Sequence, residues 1–216
     1  RELLDLIDIK NKIITADAEH CQKETISKII NKQGDYCICL KANQRQLYED
    51  VQLYFDSIIK GEFECETATT SEKNRERYEQ RTCYVFKDIS WLNETKEWAK
   101  LNKIFAIQRK VTKDNKTTTE VNFYLSSLES TPERFLEIVR KHWRIESMHW
   151  QLDMTFNEDN CRILSENGQK SLNMFRKIAL AFHKNYKEQT GHKKSIKKYM
   201  LSCLLNNDNL LDVIKL

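Results

Sequence analysis

The stretch Arg140–Asp159, RKHWRIESMHWQLDMTFNED, carries two His-Trp pairs, a glutamate between them and a cluster of acids at its end. With the residues just before it, Phe135, Val139, His142, Glu146, His149 and Asp153 recur at steps of four, three, four, three and four. That spacing puts all six on one stripe of an α-helix. Trp143 and Trp150 flank the stripe, so it is expected to face protein and not water. A carboxylate turned inward is costly unless something pairs with it. Glu146 then calls for a cation, either a basic side chain or a metal ion. Thr131-Pro132-Glu133 opens the helix, with Thr as N-cap, Pro in the first position and an acid in the first turn.

Upstream, Lys12–Asp17 (KIITAD) is a short β-branched run ending in an acid. Gln22–Lys32 has helical spacing at Ile26, Ile29 and Ile30, with Gly34 expected as its stop. Asp35–Leu40 is apolar on both faces, as a strand in a covered parallel sheet is. The three segments form a β-α-β unit. Ligands of open α/β sheets gather at the carboxyl ends of the strands, so Asp17, Lys41, Asn43 and Gln44 are expected on one rim. A carboxylate beside a lysine and two amides can hold a metal and a phosphate. The same residues also read as a turn acid, a surface charge and caps of the next helix. That helix is expected from Gln44 to Ile59, with Leu47, Val51, Phe55 and Ile58 inward.

From Glu62 to Leu128 the pattern changes to short strands at Phe63–Thr67, Arg77–Phe86, Ile104–Val111 and Thr118–Ser126, with a hairpin turn at Asp114–Lys116. Arg75, Arg77, Arg81, Arg109 and Lys110 fall here. Alternating arginines on a β-rich arm either grip phosphates or pair with glutamates across strands. Ser171–Tyr186 reads as an amphipathic helix with Leu172, Phe175, Ala179, Phe182 and Tyr186 inward. His183–Met200 then holds six lysines and one glutamate, Lys193, Lys194, Lys197 and Lys198 among them. Such a run suits phosphate contacts or a solvated helix face.

Composition sets wider bounds. In 216 residues, 40% are hydrophobic, enough for a core, and four Gly with one Pro leave few loops. Charged residues make up 31%, above the usual quarter or so. The net charge is only +4, so the distribution of basic residues, not their sum, is the nucleic-acid signal. Seven cysteines are scattered, and Cys37 and Cys39 alternate within an apolar run. Free buried thiols in a reducing, cytoplasmic protein are expected. No apolar run is long enough for a membrane span.

Three segments in register carry a resemblance: Ile13–Glu24 (IITADAEHCQKE), Gly34–Leu47 (GDYCICLKANQRQL) and His142–Ile163 (HWRIESMHWQLDMTFNEDNCRI). From about Leu3 to about Ala181 the chain resembles the H-repeat-associated, ISAs-one type insertion-sequence transposases of the DDE superfamily. Arg77, Glu79 and Arg81 match a degraded R-x-E-x-R element of that family. The resemblance implies an α/β fold, a partial ribonuclease-H-like core interrupted by a β-rich insertion. Its parts are 1–60, the first part of the core; 61–130, the insertion; and 131–216, the helices with the glutamate helix and a basic end.

It also implies metal-dependent cleavage and strand transfer on DNA, with two Mg²⁺ (or Mn²⁺) ions held by three carboxylates. Two such ions, about 3.5–4 Å apart, stabilise the entering and leaving oxygens. Asp17 matches the second acid and Glu146 the third, and the two are expected to converge. The first acid, in a D-G-K context, has no counterpart, so the chain is expected to be an N-terminally truncated fragment or an inactive DNA-binding remnant. The places of a Tyr and an Arg before the last acid hold Val139 and His142, that of a Lys after it holds Asp153, and Arg140 and Arg144 lie near. Glu158 and Asp159 match an F-x-E-D element expected to orient basic residues. DNA (element ends and target) is the implied partner, with no membrane, a nucleoid-associated cytoplasmic location, and dimer formation through the open edge of the Asp17 strand. A different class also fits the pattern: a zinc or iron site built from His142, Glu146 and His149.

Overall fold

The computed structural model describes residues 2–74 and 76–215. They form two compact units, residues 1–142 and 143–216. In the first unit, α1 (Glu2–Leu6) leads to β1 (Ile13–Ala16), α2 (Lys23–Asn31), β2 (Asp35–Leu40) and α3 (Arg45–Lys60). Then come β3 (Cys65–Asn74), β4 (Arg77–Phe86), β5 (Lys103–Lys113), β6 (Lys116–Ser126) and the start of α4 (Pro132–Phe156). One six-stranded sheet has the order β1-β2-β6-β5-β4-β3. β1 and β2 are parallel, and every other pair is antiparallel.

The period of two along each strand sorts side chains into two cores. Ile38, Leu40, Phe86, Ile104, Ala106, Phe123 and Leu125 pack under Ile26 and Ile29 of α2 and under Leu47, Val51, Phe55 and Ile58 of α3. Cys37, Cys39, Cys83, Val85, Phe105, Ile107 and Tyr124 pack under Phe135, Leu136, Ile138 and Val139 of α4. Phe105 and Phe135 stack with ring centroids 4.3 Å apart. The result is a three-layer arrangement in which β2 has helices over both faces.

Several expected elements are present. β2 and β4 have the expected bounds, and Leu47, Val51, Phe55 and Ile58 are all buried. Thr131 sits before α4, its Oγ1 3.5 Å from the Arg134 amide. Asp114 and Asn115 take positive φ angles of 50° and 60°, as a two-residue hairpin loop between twisted strands requires. Arg75 lies outside the described residues.

Other expectations are corrected. The strands between Glu62 and Leu128 extend the same sheet as β1 and β2, with β6 paired to β2 from Cys37↔Ser126 to Leu40↔Phe123. The sheet is therefore mixed and mostly antiparallel. β3 begins at Cys65, because Phe63 stacks on Tyr54 at 4.6 Å. Gly34 does not take the left-handed helix stop; Gln33 does, with φ 59°. Gly34 answers a packing need instead, since a Cβ there would lie 3.1 Å from the Ile9 carbonyl oxygen and 3.2 Å from Ile29 Cγ2.

The α4 stripe also departs from expectation. Phe135 and Val139 are buried and His142 is half-buried, but Glu146 and His149 are exposed, and Trp143 and Trp150 are 48% and 63% exposed. The apolar sheet surface is filled by Phe135 to Val139, so nothing in the first unit's core asks for a longer stripe. Glu146 keeps its water, and burial does not demand a cation for it.

The second unit holds the rest of α4 with α5 (Glu166–Thr190), α6 (Ile196–Leu205) and α7 (Asn207–Ile214). α5 ends at Gly191, with φ 66°, and Ser195 caps α6 by accepting from the Lys198 amide. Its small core is Tyr199, Cys203 and Val213 with Tyr186 against them. Tyr186 stacks on Tyr199 at 4.9 Å, and His183 meets Tyr199 edge-on at 6.0 Å. These contacts turn the Leu180–His183 face of α5 inward. Phe175 and Phe182, expected inside, are 63% and 39% exposed for that reason.

Two stability predictions follow from this packing. Gly34→Ala should lower the free energy of unfolding by about 1–3 kcal/mol through overpacking; an unchanged denaturant midpoint would contradict the close approach. Burial pushes the His183 pKa below its ordinary 6.5, so its stabilising contribution is complete above that value. Below it the unfolded chain takes the proton more readily, and stability falls. Thermal midpoints from about pH 8 to about pH 5 should decline less steeply in His183→Gln than in the wild type; parallel curves would refute this.

Candidate functional site

Asp17 is built by the end of β1. Its backbone is extended, at φ −70° and ψ 168°, and it precedes a single 3-10 turn, Ala18–His20, without spending its side chain as a cap. The carboxylate is 75% exposed, with Oδ1 3.2 Å from Nε2 of His142. The other ring nitrogen of His142, Nδ1, lies 3.1 Å from the Thr15 hydroxyl. Thr15 and Asp17 are two residues apart on one strand face, so one imidazole reaches both. With Nε2–H donating to the carboxylate, Nδ1 accepts from the hydroxyl, which fixes the ring and the Asp17 rotamer together.

Lys41 follows β2 as Asp17 follows β1, and it is exposed. Both charges act on the Cys39 thiol between them: burial pushes its pKa up to about 11, Lys41 opposes this and Asp17 adds to it. Asn43 donates to the Ala18 carbonyl at 2.6 Å, and Gln44 donates to the Cys21 carbonyl at 2.9 Å. The four expected rim residues thus gather at the end of the parallel pair. The amides of Asn43 and Gln44 latch one rim turn to the other.

The arginines of β4 have a different setting. Arg77, Glu79 and Arg81 alternate on the sheet face that α4 covers further along. Glu79 is only 8% exposed. Its carboxylate accepts from Arg77 Nη2 at 2.7 Å and Arg109 Nε at 2.7 Å, and it pairs with Arg81. Arg109 stands opposite both Arg81 and Glu120, and its Nη1 is 3.6 Å from Glu120. Burial pushes the Glu79 carboxyl up, but the Arg109 hydrogen bond and the charges of Arg81, Arg109 and Arg77 outweigh it, so the net shift is downward. Arg140 of α4 pairs with Glu72, which faces Glu79 across β3 and β4. Arg109 pairs with Glu79 across β4 and β5, the arrangement that the cross-strand reading of this segment expects.

In the second unit, Glu146 lines a shallow hollow of about 420 Å³ with Trp143, Ser147, Trp150 and Gln151, all on one face of α4. Arg144 is exposed on the same helix. Lys193, Lys194, Lys197 and Lys198 are exposed around the start of α6, whose first turn has no acid. Cations there oppose the positive end of the helix dipole. Glu158 and Asp159 belong to a 3-10 turn, Glu158–Asn160. Among the described residues no group of three or more His, Cys, Asp or Glu side chains is disposed to hold a metal ion. His142 is engaged with Thr15 and Asp17, so the expected set of His142, Glu146 and His149 is not assembled. All seven cysteines are free. Among the described residues no helix is long and apolar enough to cross a membrane.

Two features of this site were missed in the sequence. The bond from His142 to Asp17 joins residues 125 positions apart; its only local trace is the Thr-x-Asp spacing that runs from β1 to the residue just past its end. The burial of Glu79 had a trace too, in an acid set between two arginines at strand spacing.

Residues 1–182 match the family model described as the Transposase DDE domain. The chain is 33% identical over 221 residues to the "H repeat-associated putative transposase YhhI" of Escherichia coli K12, covering 99% of this chain and 57% of that protein. The same identity and coverage hold for the "Putative protein YbfL" of that strain. It is 32% identical over 212 residues to the "Putative transposase YncI" of Escherichia coli O157:H7, covering 93% of this chain and 53% of that one. The chain thus spans somewhat more than half the length of these relatives, and by the match over residues 1–182 it belongs to the Transposase DDE domain family.

Proposed function

We propose that this chain is part of an insertion-sequence transposase acting on DNA, in which Asp17 and Glu146 are two of the carboxylates that hold divalent metal ions. Asp17 carries the reading. It is an exposed oxygen donor at the carboxyl end of a parallel strand pair, its rotamer held by His142, in a chain of the DDE family. Carboxylate oxygens suit Mg²⁺ or Mn²⁺, which keep several waters and need few protein ligands. Two such ions would supply Lewis-acid polarisation of the phosphodiester and charge stabilisation at its oxygens.

The residues of this chain have roles of their own in the reading. His142 and Thr15 leave one oxygen of Asp17 facing outward. Lys41 offers a point charge to a phosphate beside it, and Asn43 and Gln44 hold the rim that carries both. Arg140, Arg144, Lys193, Lys194, Lys197 and Lys198 would contact the DNA backbone, each contact weakening with salt. Lysines gathered at the positive end of α6 support this, because an anion there relieves an arrangement the helix disfavours. A ribonuclease-H-like arrangement of residues 1–60 and 131–216, a cytoplasmic site of action and a homodimer belong to the same proposal. β1 is the first strand in the sheet order and has one neighbour among the described residues, which leaves its outer edge for pairing.

Mn²⁺ binding followed by electron paramagnetic resonance tests the metal ligands. Asp17→Asn and Glu146→Gln should each weaken binding by roughly tenfold. Wild-type affinity in both would discard the catalytic reading and leave a DNA-binding protein without metal chemistry. Sedimentation velocity tests the edge: the chain should run as a dimer or larger species, and a monodisperse monomer would rule out pairing through β1.

A further inference from the structure

The group around Glu79 holds more positive charge than its stability needs. One buried carboxylate is neutralised by one cation, yet Arg77, Arg81 and Arg109 all donate to it. Arg81 and Arg109 are directly opposite in the β4–β5 register, a placement of like charges that costs stability. Glu79 lies between them and makes it tolerable. Each guanidinium has five N–H donors, and a carboxylate accepts about four bonds in all. Most of these donors are therefore not satisfied by Glu79. The three side chains remain 46%, 27% and 36% exposed, so solvent and a ligand can reach them, with Nη1 of Arg109 also 3.6 Å from Glu120. With Glu79, Glu120 and the facing Glu72–Arg140 pair counted, the group keeps one net positive charge: four arginines against three glutamates.

We propose that Glu79 is a positioning residue that sets Arg77, Arg81 and Arg109 as a rigid guanidinium fork for the phosphates of a DNA backbone. The proposal rests on the transposase reading for the identity of its ligand. Rigidity is what the carboxylate contributes. A free arginine loses side-chain entropy when it meets a phosphate, whereas a guanidinium already tied through one edge presents its other edge at little further cost. Planar donor pairs match phosphate oxygens two at a time. The strand spacing repeats the donors along one face, so the fork fits a repeating anion and not a single small one.

The sign of one substitution separates positioning from plain charge. Glu79→Gln makes the fork more positive by one unit. If Coulomb attraction alone governed binding, DNA would bind tighter. If Glu79 positions the fork, affinity should fall by roughly tenfold despite the added charge. The experiment is fluorescence anisotropy of a labelled DNA duplex titrated with the full chain over a range of salt, beside thermal melts of each variant. Arg77→Ala removes the most exposed member and should flatten the slope of log affinity against log salt by about 0.9. Arg81→Lys keeps the charge, loses the planar donor pair and should also weaken binding.

Tighter or unchanged binding by folded Glu79→Gln overturns the proposal. Should that variant fail to fold, Arg77→Ala and Arg81→Lys decide, and wild-type affinity and salt slope in both would overturn it equally. A wild-type chain that binds no duplex at all rejects the transposase reading itself, whereas wild-type binding indifferent to all three substitutions rejects only the fork.

Discussion

Between α2 and α3 on one side and α4 on the other, β2 has no face left for water. Five of its six residues are buried, and the alternation along it feeds both cores: Tyr36, Ile38 and Leu40 one way, Cys37 and Cys39 the other. Each large apolar side chain so buried contributes roughly 1.5–3 kcal/mol. β2 also joins the parallel and antiparallel parts of the sheet, with β1 on one edge and β6 on the other. A polar substitution on either face of this strand has no solvent to turn to. The position of the rim, and of everything attached to it, follows from where this strand is held.

The rim is polar because the strands end there. Asp17 follows half-buried β1 and Lys41 follows buried β2, each at the first place beyond its strand where a charge stays hydrated. The second constraint is on rotation. An exposed aspartate is ordinarily free to turn, but His142 reaches it from α4 and takes its own orientation from Thr15. A helix that packs Phe135 and Val139 into the sheet therefore also delivers an imidazole to the carboxylate, so core packing and the orientation of Asp17 share one element. The cost of misplacing α4 would be felt first at Asp17.

At the other end of the sheet the same period of two lines up charge. Arg77, Glu79 and Arg81 share the face that carries Cys83 and Val85 further along β4. Apolar residues fill the part of that face under α4, and paired charges continue it outward. Glu79 loses most of its water, yet its surroundings hold its carboxyl below the usual range. The arginines, not the solvent, compensate it. Breaking one partner leaves the rest of the group underpaired.

Local pattern carried much of the first unit. The β-branched run before Asp17, the doubly apolar Asp35–Leu40, the α3 stripe and the turn residues Asp114 and Asn115 each specify an element through backbone preference and periodicity alone. Three motifs in register also marked the family. Pattern failed where a partner decides the outcome. The helical stripe through Glu146 and His149 is real as spacing, but whether spacing becomes burial depends on what lies opposite. Phe175 and Phe182 fit an inward stripe until Tyr199 turns another face of α5 toward α6. The sequence by itself determined that β1, β2, α3, β4 and the start of α4 form where they do. Only the tertiary structure decided that β6 lies beside β2, that His142 meets Asp17 and that three arginines share Glu79, because each joins residues far apart along the chain and no local preference records such a meeting.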